Sequence, residues 1–160
     1  MAQLKALFLD RDDTIIKNIP YMSKVEDIEY LPGVFKALKF LQDEKGFSIF
    51  IVTNQSGLSR GLITYQELED IHDKISEDFF LKGLRILKYY ISPYIHIHHR
   101  RKPGPGLLLE AQQDFDIDFS QSVMVGDGDR DVDAGYNAGL TKCFKVTSPD
   151  FWEQVDLGLF

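Results

Sequence analysis

A chain of 160 residues, 44% hydrophobic and 27% charged, has room for one ordinary domain with a real core and not for two. Its net charge of -7 argues against general nucleic-acid or anionic-membrane binding, which needs a basic surface, while leaving room for a local anion site. Cys143 is the sole cysteine, so an internal disulfide is excluded, and the apolar run before Asp10 is too short for a signal peptide or membrane span. The expectation is a soluble, cytoplasmic chain that forms a single domain over residues 1–160.

Residues 4–9 read as a first strand. Over 33–44, Val34, Phe35, Leu38 and Leu41 recur at helical spacing, and Gly46 marks the stop. The continuous apolar run 47–52 suits a strand buried on both faces. Thr64 with Glu67 forms a capping-box pattern that opens a helix to about residue 81. Residues 84–91 read as a third strand, and Pro105 opens a short helix through 115. A fourth strand at 122–125, a helix at 129–138 closed by Gly139, and a fifth strand at 141–146 follow. The last dozen residues carry Phe151, Trp152 and Phe160 without a clear period, and these aromatics are expected to pack on the domain.

Strands alternating with helices predict an α/β fold, a three-layer, doubly wound (Rossmann-like) parallel sheet whose crevice lies at the carboxyl ends of the strands. The polar clusters fall at those ends: 10–14 after strand one, 53–57 after strand two, 126–131 after strand four, and Lys102 on the way into strand four. An Asp after a strand is by itself more often a turn residue or a helix cap. Four clusters meeting in one crevice have no such bland explanation. Asp10 and Asp12, two residues apart, can share one hard cation through oxygen ligands. The cation would lower the repulsion between a carboxylate nucleophile and a phosphate dianion. Attack by Asp10 would give an aspartyl-phosphate, and Asp12 would protonate the leaving oxygen and later deprotonate water.

These clusters resemble the motifs of the haloacid-dehalogenase superfamily of phosphatases. Residues 8–14 (Phe-Leu-Asp-Arg-Asp-Asp-Thr) resemble its nucleophile motif, and 52–57 (Val-Thr-Asn-Gln-Ser-Gly) its hydroxyl-bearing phosphate loop. Residues 101–106 (Arg-Lys-Pro-Gly-Pro-Gly) resemble its lysine motif, and 125–131 its acidic metal motif. More narrowly, the strings are similar to the branch that holds the heptose-1,7-bisphosphate and histidinol-phosphate phosphatases. The resemblance implies a Mg2+-dependent phosphoric monoester hydrolase of carbohydrate metabolism, acting on a small phosphorylated metabolite. It makes Asp10 the nucleophile and Asp12 the acid/base, with Mg2+ held by the Asp10 carboxylate, the Asp12 carbonyl and the Asp127 carboxylate. Asp131 would stand behind them as an indirect or water-mediated partner, and Asp129 and Asp133 would mainly cap the helix start. Thr53 would donate its hydroxyl to the phosphoryl oxygens, and Lys102 would neutralise charge on them. Asn18, Tyr21, Asn54, Gln55 and Arg101 would contact the substrate.

Two departures from that pattern matter. Asp13 replaces a usual glycine; if the turn needs positive φ, Asp tolerates it better than most residues, at a cost of about 1 kcal/mol, and the expectation is that its side chain points away from the cleft. The loop before Lys102 lacks the cysteines of a zinc site, and His96, His98 and His99 match such a site poorly. A basic lip that attracts anions is the expected role, and a structural zinc is not expected. Intervals of about 40 and about 50 residues between motifs leave no room for a cap domain, so the cleft should be open. A small phosphorylated molecule is the expected partner, not nucleic acid or membrane, with the chain a monomer or small homo-oligomer. The competing readings are a polynucleotide 3′-phosphatase and a non-catalytic, phosphate-binding or receiver-like domain.

Overall fold

A computed structural model describes residues 2–160. Five parallel strands form one sheet in the order β3-β2-β1-β4-β5: β1 (Lys5–Leu9), β2 (Phe47–Asn54), β3 (Ile86–Ser92), β4 (Val123–Gly126) and β5 (Lys142–Lys145). The helices are α1 (Val34–Asp43), α2 (Tyr65–Leu81), α3 (Gly106–Asp114), α4 (Asp129–Ala138) and the short α5 (Phe151–Gln154). The expected strands and helices are all present, with β2 reaching two residues further than its apolar run. Among the described residues no cap domain interrupts them. Among the described residues, no helix is long and apolar enough to cross a membrane.

Alternation along the strands sorts the core into two layers, because successive side chains point to opposite faces. Leu7, Leu9, Ile49, Ile51, Val123 and Val125 face one layer, with Leu38, Leu41, Ile71, Ile75 and Phe79 from α1 and α2 packed over them. Ala6, Phe8, Phe50, Val52 and Met124 face the other, under Leu107, Leu108 and Ala111 of α3. The expected capping box opens α2, with Thr64 and Glu67 bonded reciprocally at 2.9 and 3.0 Å. The C-terminal aromatics pack inward: Trp152 and Phe160 are buried, and the Trp152 indole donates to the Thr14 carbonyl at 2.7 Å.

After β1 the chain adds β2 and β3 on one side, then returns to lay β4 and β5 on the other. The switch point therefore lies between β1 and β4, where a doubly wound sheet opens its ligand crevice. This order also differs from the 2-1-3-4-5 order of flavodoxin-like receiver folds, against the receiver-like reading.

Candidate active site

Asp10 stands one residue past β1, and its N–H still bonds the Val125 carbonyl of β4 at 3.0 Å. The chain then turns sharply. Asp13 has φ 57°, and its N–H donates to the Ile16 carbonyl at 2.7 Å. The position does need left-handed backbone, the region glycine enters without cost. Asp13 does not point away from the cleft, however. It lines the central cavity with Asp10 and Asp127. One of its oxygens accepts the Asn18 N–H at 2.9 Å, so the carboxylate serves as a cap for the following loop.

Lys102 is buried, and its ammonium makes three short contacts. It reaches Asp10 Oδ1 at 2.7 Å, Asp131 Oδ1 at 2.6 Å and the Val52 carbonyl at 2.9 Å. Its backbone is clasped as well: the Asn54 amide accepts from Lys102 N–H at 3.1 Å and donates to Lys102 C=O at 3.2 Å. Burial works against the Lys102 charge, but Asp10 and Asp131 outweigh it and lift its pKa above the ordinary lysine value.

Oxygens of Asp10, Asp127 and Asp131 lie within 4.8 Å of one another. Burial pushes the Asp10 carboxyl well above the usual carboxylate range, against the pull of Lys102 and with Asp131 adding to the rise. Burial raises Asp127 too; its hydrogen bond to Asp10 opposes this, and the charges of Asp131 and Asp13 add to it. With all three acids ionised, as a bound cation would favour, three carboxylates against one ammonium leave two negative charges in excess. An all-oxygen donor set with that excess fits a hard divalent cation. Asp131 does more than the expected indirect role, since its second oxygen accepts the Gly128 N–H at 2.9 Å. Asp131 thus caps α4, whereas Asp129 pairs with Lys145 at 2.9 Å.

Asp12 lies outside this acidic trio. Arg11 grips its carboxylate through Nε at 3.1 Å and Nη2 at 2.9 and 3.1 Å, and Gln55 donates to it at 3.0 Å. Gln55 also donates to Thr53 Oγ1 at 2.9 Å, so it joins two of the expected catalytic side chains. Asn54 and Gln55 therefore spend their amides on Lys102, Asp12 and Thr53, although Asn54 does line the cavity.

The central cavity, about 200 Å³, is lined by Asp10, Asp12, Asn18, Lys102, Asp127 and Arg130, among others. Tyr21 and Arg101 are not in its wall. The Tyr21 ring lies over Gly57, where an added Cβ would come within 2.8 Å of it. Arg101 donates to the Tyr94 carbonyl at 2.7 Å and lines an adjoining cavity with His96, His98, His99 and Arg130. Burial lowers the Arg101 pKa, and the charges of Arg130 and Arg60 lower it further, so two other cations lie within electrostatic reach of it. None of the three forms an ion pair among the described residues. Arg130 went unnoticed in the sequence. Its signal is a cation in the first turn of a helix, where the dipole disfavours positive charge.

A family model described as HAD-hydrolase-like matches residues 99–147. A D-glycero-alpha-D-manno-heptose-1,7-bisphosphate 7-phosphatase of Photorhabdus laumondii is 35% identical over 153 residues, 90% of this chain and 83% of the relative. The Campylobacter jejuni protein of that name is 36% identical over 136 residues, 85% and 78% of the two chains. Among solved structures, a HAD-like phosphatase from Mesorhizobium loti superposes with a TM-score of 0.85 at 32% identity, covering 91% of this chain and 74% of its own. The D,D-heptose 1,7-bisphosphate phosphatase of B. bronchiseptica, complexed with magnesium and phosphate, gives 0.79 at 29% identity over 87% and 79% of the chains. With its nucleophile, lysine and acidic motifs meeting at one switch point, the chain belongs to the haloacid-dehalogenase-like phosphatases, in the branch of the heptose-bisphosphate phosphatases.

Proposed function

We propose that the chain removes one phosphate from a small sugar bisphosphate, heptose 1,7-bisphosphate foremost, through an aspartyl-phosphate on Asp10 with Mg2+ as cofactor. The carrying observation is Asp10 bonded to Lys102 at 2.7 Å beside Asp127 and Asp131, at the junction of β1 and β4. The names of the relatives support the substrate class, and the magnesium and phosphate in a solved relative support the cofactor. The whole chain acts as one catalytic domain, and we assign it to the cytoplasm, with which its lone Cys143 is compatible.

Asp10, Asp127 and the Asp12 carbonyl would hold Mg2+, which when bound neutralises charge on the phosphate and on Asp10. A carboxylate oxygen of Asp10 attacks phosphorus, the bond to the leaving oxygen breaks, and Asp12 gives that oxygen its proton. Lys102 and the Thr53 hydroxyl bond the phosphoryl oxygens as charge moves onto them. Water then attacks the same phosphorus, Asp12 takes its proton, and the bond to Asp10 breaks to free phosphate. Arg101 and Arg130 meet the second phosphate at the rim, and Asn18 contributes to the same central cavity as Arg130. Tyr21 acts by holding the phosphate loop at Gly57. The histidine loop works without zinc: His98 stacks on Tyr94 with centroids 3.5 Å apart, and its Nδ1 accepts the Arg100 N–H at 3.0 Å.

Phosphate release from heptose 1,7-bisphosphate, histidinol phosphate and a 3′-phosphorylated oligonucleotide tests this reading. Turnover should require Mg2+, favour the bisphosphate, and fall at least about 10⁴-fold in Asp10→Asn. Release persisting in that variant would sink the covalent route. A preference for the oligonucleotide would replace the substrate.

A further inference from the structure

Arg11 is 1% exposed, and a guanidinium taken so far from water needs every donor matched. Nε and Nη2 are spent on Asp12. Nη1 points the other way, to His72 Nε2 at 3.1 Å. Because Arg11 always donates, His72 must accept there, which fixes its tautomer with the proton on Nδ1. His72 lies on α2 in line with Leu68, Ile71, Ile75 and Phe79, a polar residue on an otherwise apolar buried stripe. Burial and the Arg11 charge push its pKa down to about 3, so it stays a neutral acceptor at working pH. Its ring stacks on Tyr89 of β3 with centroids 4.3 Å apart at 15°. The Tyr89 hydroxyl in turn donates to the His72 carbonyl at 3.0 Å, and Ser76 bonds that hydroxyl at 2.8 Å. A connected row therefore runs from Asp12 through Arg11 and His72 to Tyr89, between the nucleophile loop, α2 and β3.

Nothing in this row touches the reacting centre except Asp12. A residue that merely filled space would not require a guanidinium fork at one end and a single-tautomer imidazole at the other. Leucine, already used along the same stripe, would fill it without buried polar groups to satisfy. We infer that Arg11 and His72 are positioning residues: His72 holds the Arg11 fork in one orientation, and the fork sets where the Asp12 carboxylate sits and from which position it delivers its proton. The inference rests on the proposed role of Asp12 as acid and base.

The test compares kcat/KM for an activated aryl phosphate, whose leaving oxygen needs no proton, with that for an alkyl or sugar phosphate, whose oxygen does. The ratio of the two constants cancels the fraction of folded enzyme, so a destabilised variant still reports. Asp12→Asn should raise the aryl-to-sugar ratio by about 100-fold, the usual scale of a general acid. His72→Leu, which removes the acceptor, should raise it by roughly tenfold, a fraction of that scale. His72→Gln, which restores an acceptor, should bring the ratio back toward the native value. If His72→Leu yields no soluble protein, Arg11→Gln gives the same reading. A native ratio in His72→Leu or Arg11→Gln beside a raised ratio in Asp12→Asn overturns the inference. So does an equal rise in the leucine and glutamine variants. An unchanged ratio in Asp12→Asn itself would instead remove the proposed role of Asp12.

Discussion

The floor of the cleft and its rim are built on opposite rules. On the floor, Lys102 is buried with its ammonium against two carboxylates and a carbonyl, and its backbone is clasped by Asn54. At the rim, Arg101 and Arg130 line one cavity, with Arg60 near enough for its charge to act on Arg101, and none of the three has an ion pair among the described residues. A satisfied buried network holds its geometry before substrate arrives, which suits the groups that make and break bonds. Cations without a carboxylate partner keep their charge for an incoming anion, which suits groups that choose and retain a substrate. The difference separates chemistry from grip, and each half can be damaged without the other.

The largest effect is expected on the floor. Lys102→Met should cut kcat about 10³-fold, the scale of a lost charge-stabilising group, and cost about 3–5 kcal/mol of stability because it strands Asp10 and Asp131. Steady-state kinetics beside thermal melts check both, and near-native turnover would show that Lys102 is only structural. Gly126→Ala comes next. A Cβ there would overlap the Asp131 side chain, forcing it from Lys102. We expect a drop in kcat of roughly 10- to 100-fold, with about 1–3 kcal/mol of overpacking cost.

The rim should respond in KM. Arg130→Ala is expected to raise KM for a bisphosphate about tenfold, the worth of one charged hydrogen bond, while kcat for a simple aryl phosphate holds. Equal losses on both substrates would move Arg130 from grip to chemistry. The smallest effect concerns stability and pH. Asp10 and Asp127 are raised above their unfolded values chiefly by burial. The stability they contribute is therefore present at low pH and lost as pH rises through their folded values. Bound Mg2+ offsets that loss, so melting with and without EDTA should show a larger magnesium stabilisation at pH 7 than at pH 4. A shift independent of pH would argue that other groups hold the metal.

How far the sequence could be read follows the same division. The strands, their order of appearance and the acids at their ends were legible because burial writes a period of two or a continuous apolar run. Thr64 and Glu67 announced α2 by local hydrogen bonding alone. What escaped depends on which side chains meet across distant positions. Asn54 and Gln55 read as substrate contacts from their place in the phosphate loop; Asn54 does line the cavity, and the further role of their amides, holding Lys102, Asp12 and Thr53, has no sequence signal. Asp13 was expected to face away, but turning the chain at φ 57° aims its carboxylate at Asn18 N–H and the cavity. Arg11 and His72 are 61 positions apart, and the one clue was a histidine set among the apolar positions of a helix face.

The bond from the Trp152 indole to the Thr14 carbonyl has a consequence for the reach of the site along the chain. Trp152 stands 138 positions from Thr14, and the pairing of β1 with β4 brings the two stretches of chain together. The turn that carries Asp10 is thus not finished by its own neighbours. A buried aromatic from beyond the fifth strand props it, so the C-terminal stretch is part of the scaffold of the cleft although none of its residues lines the central cavity.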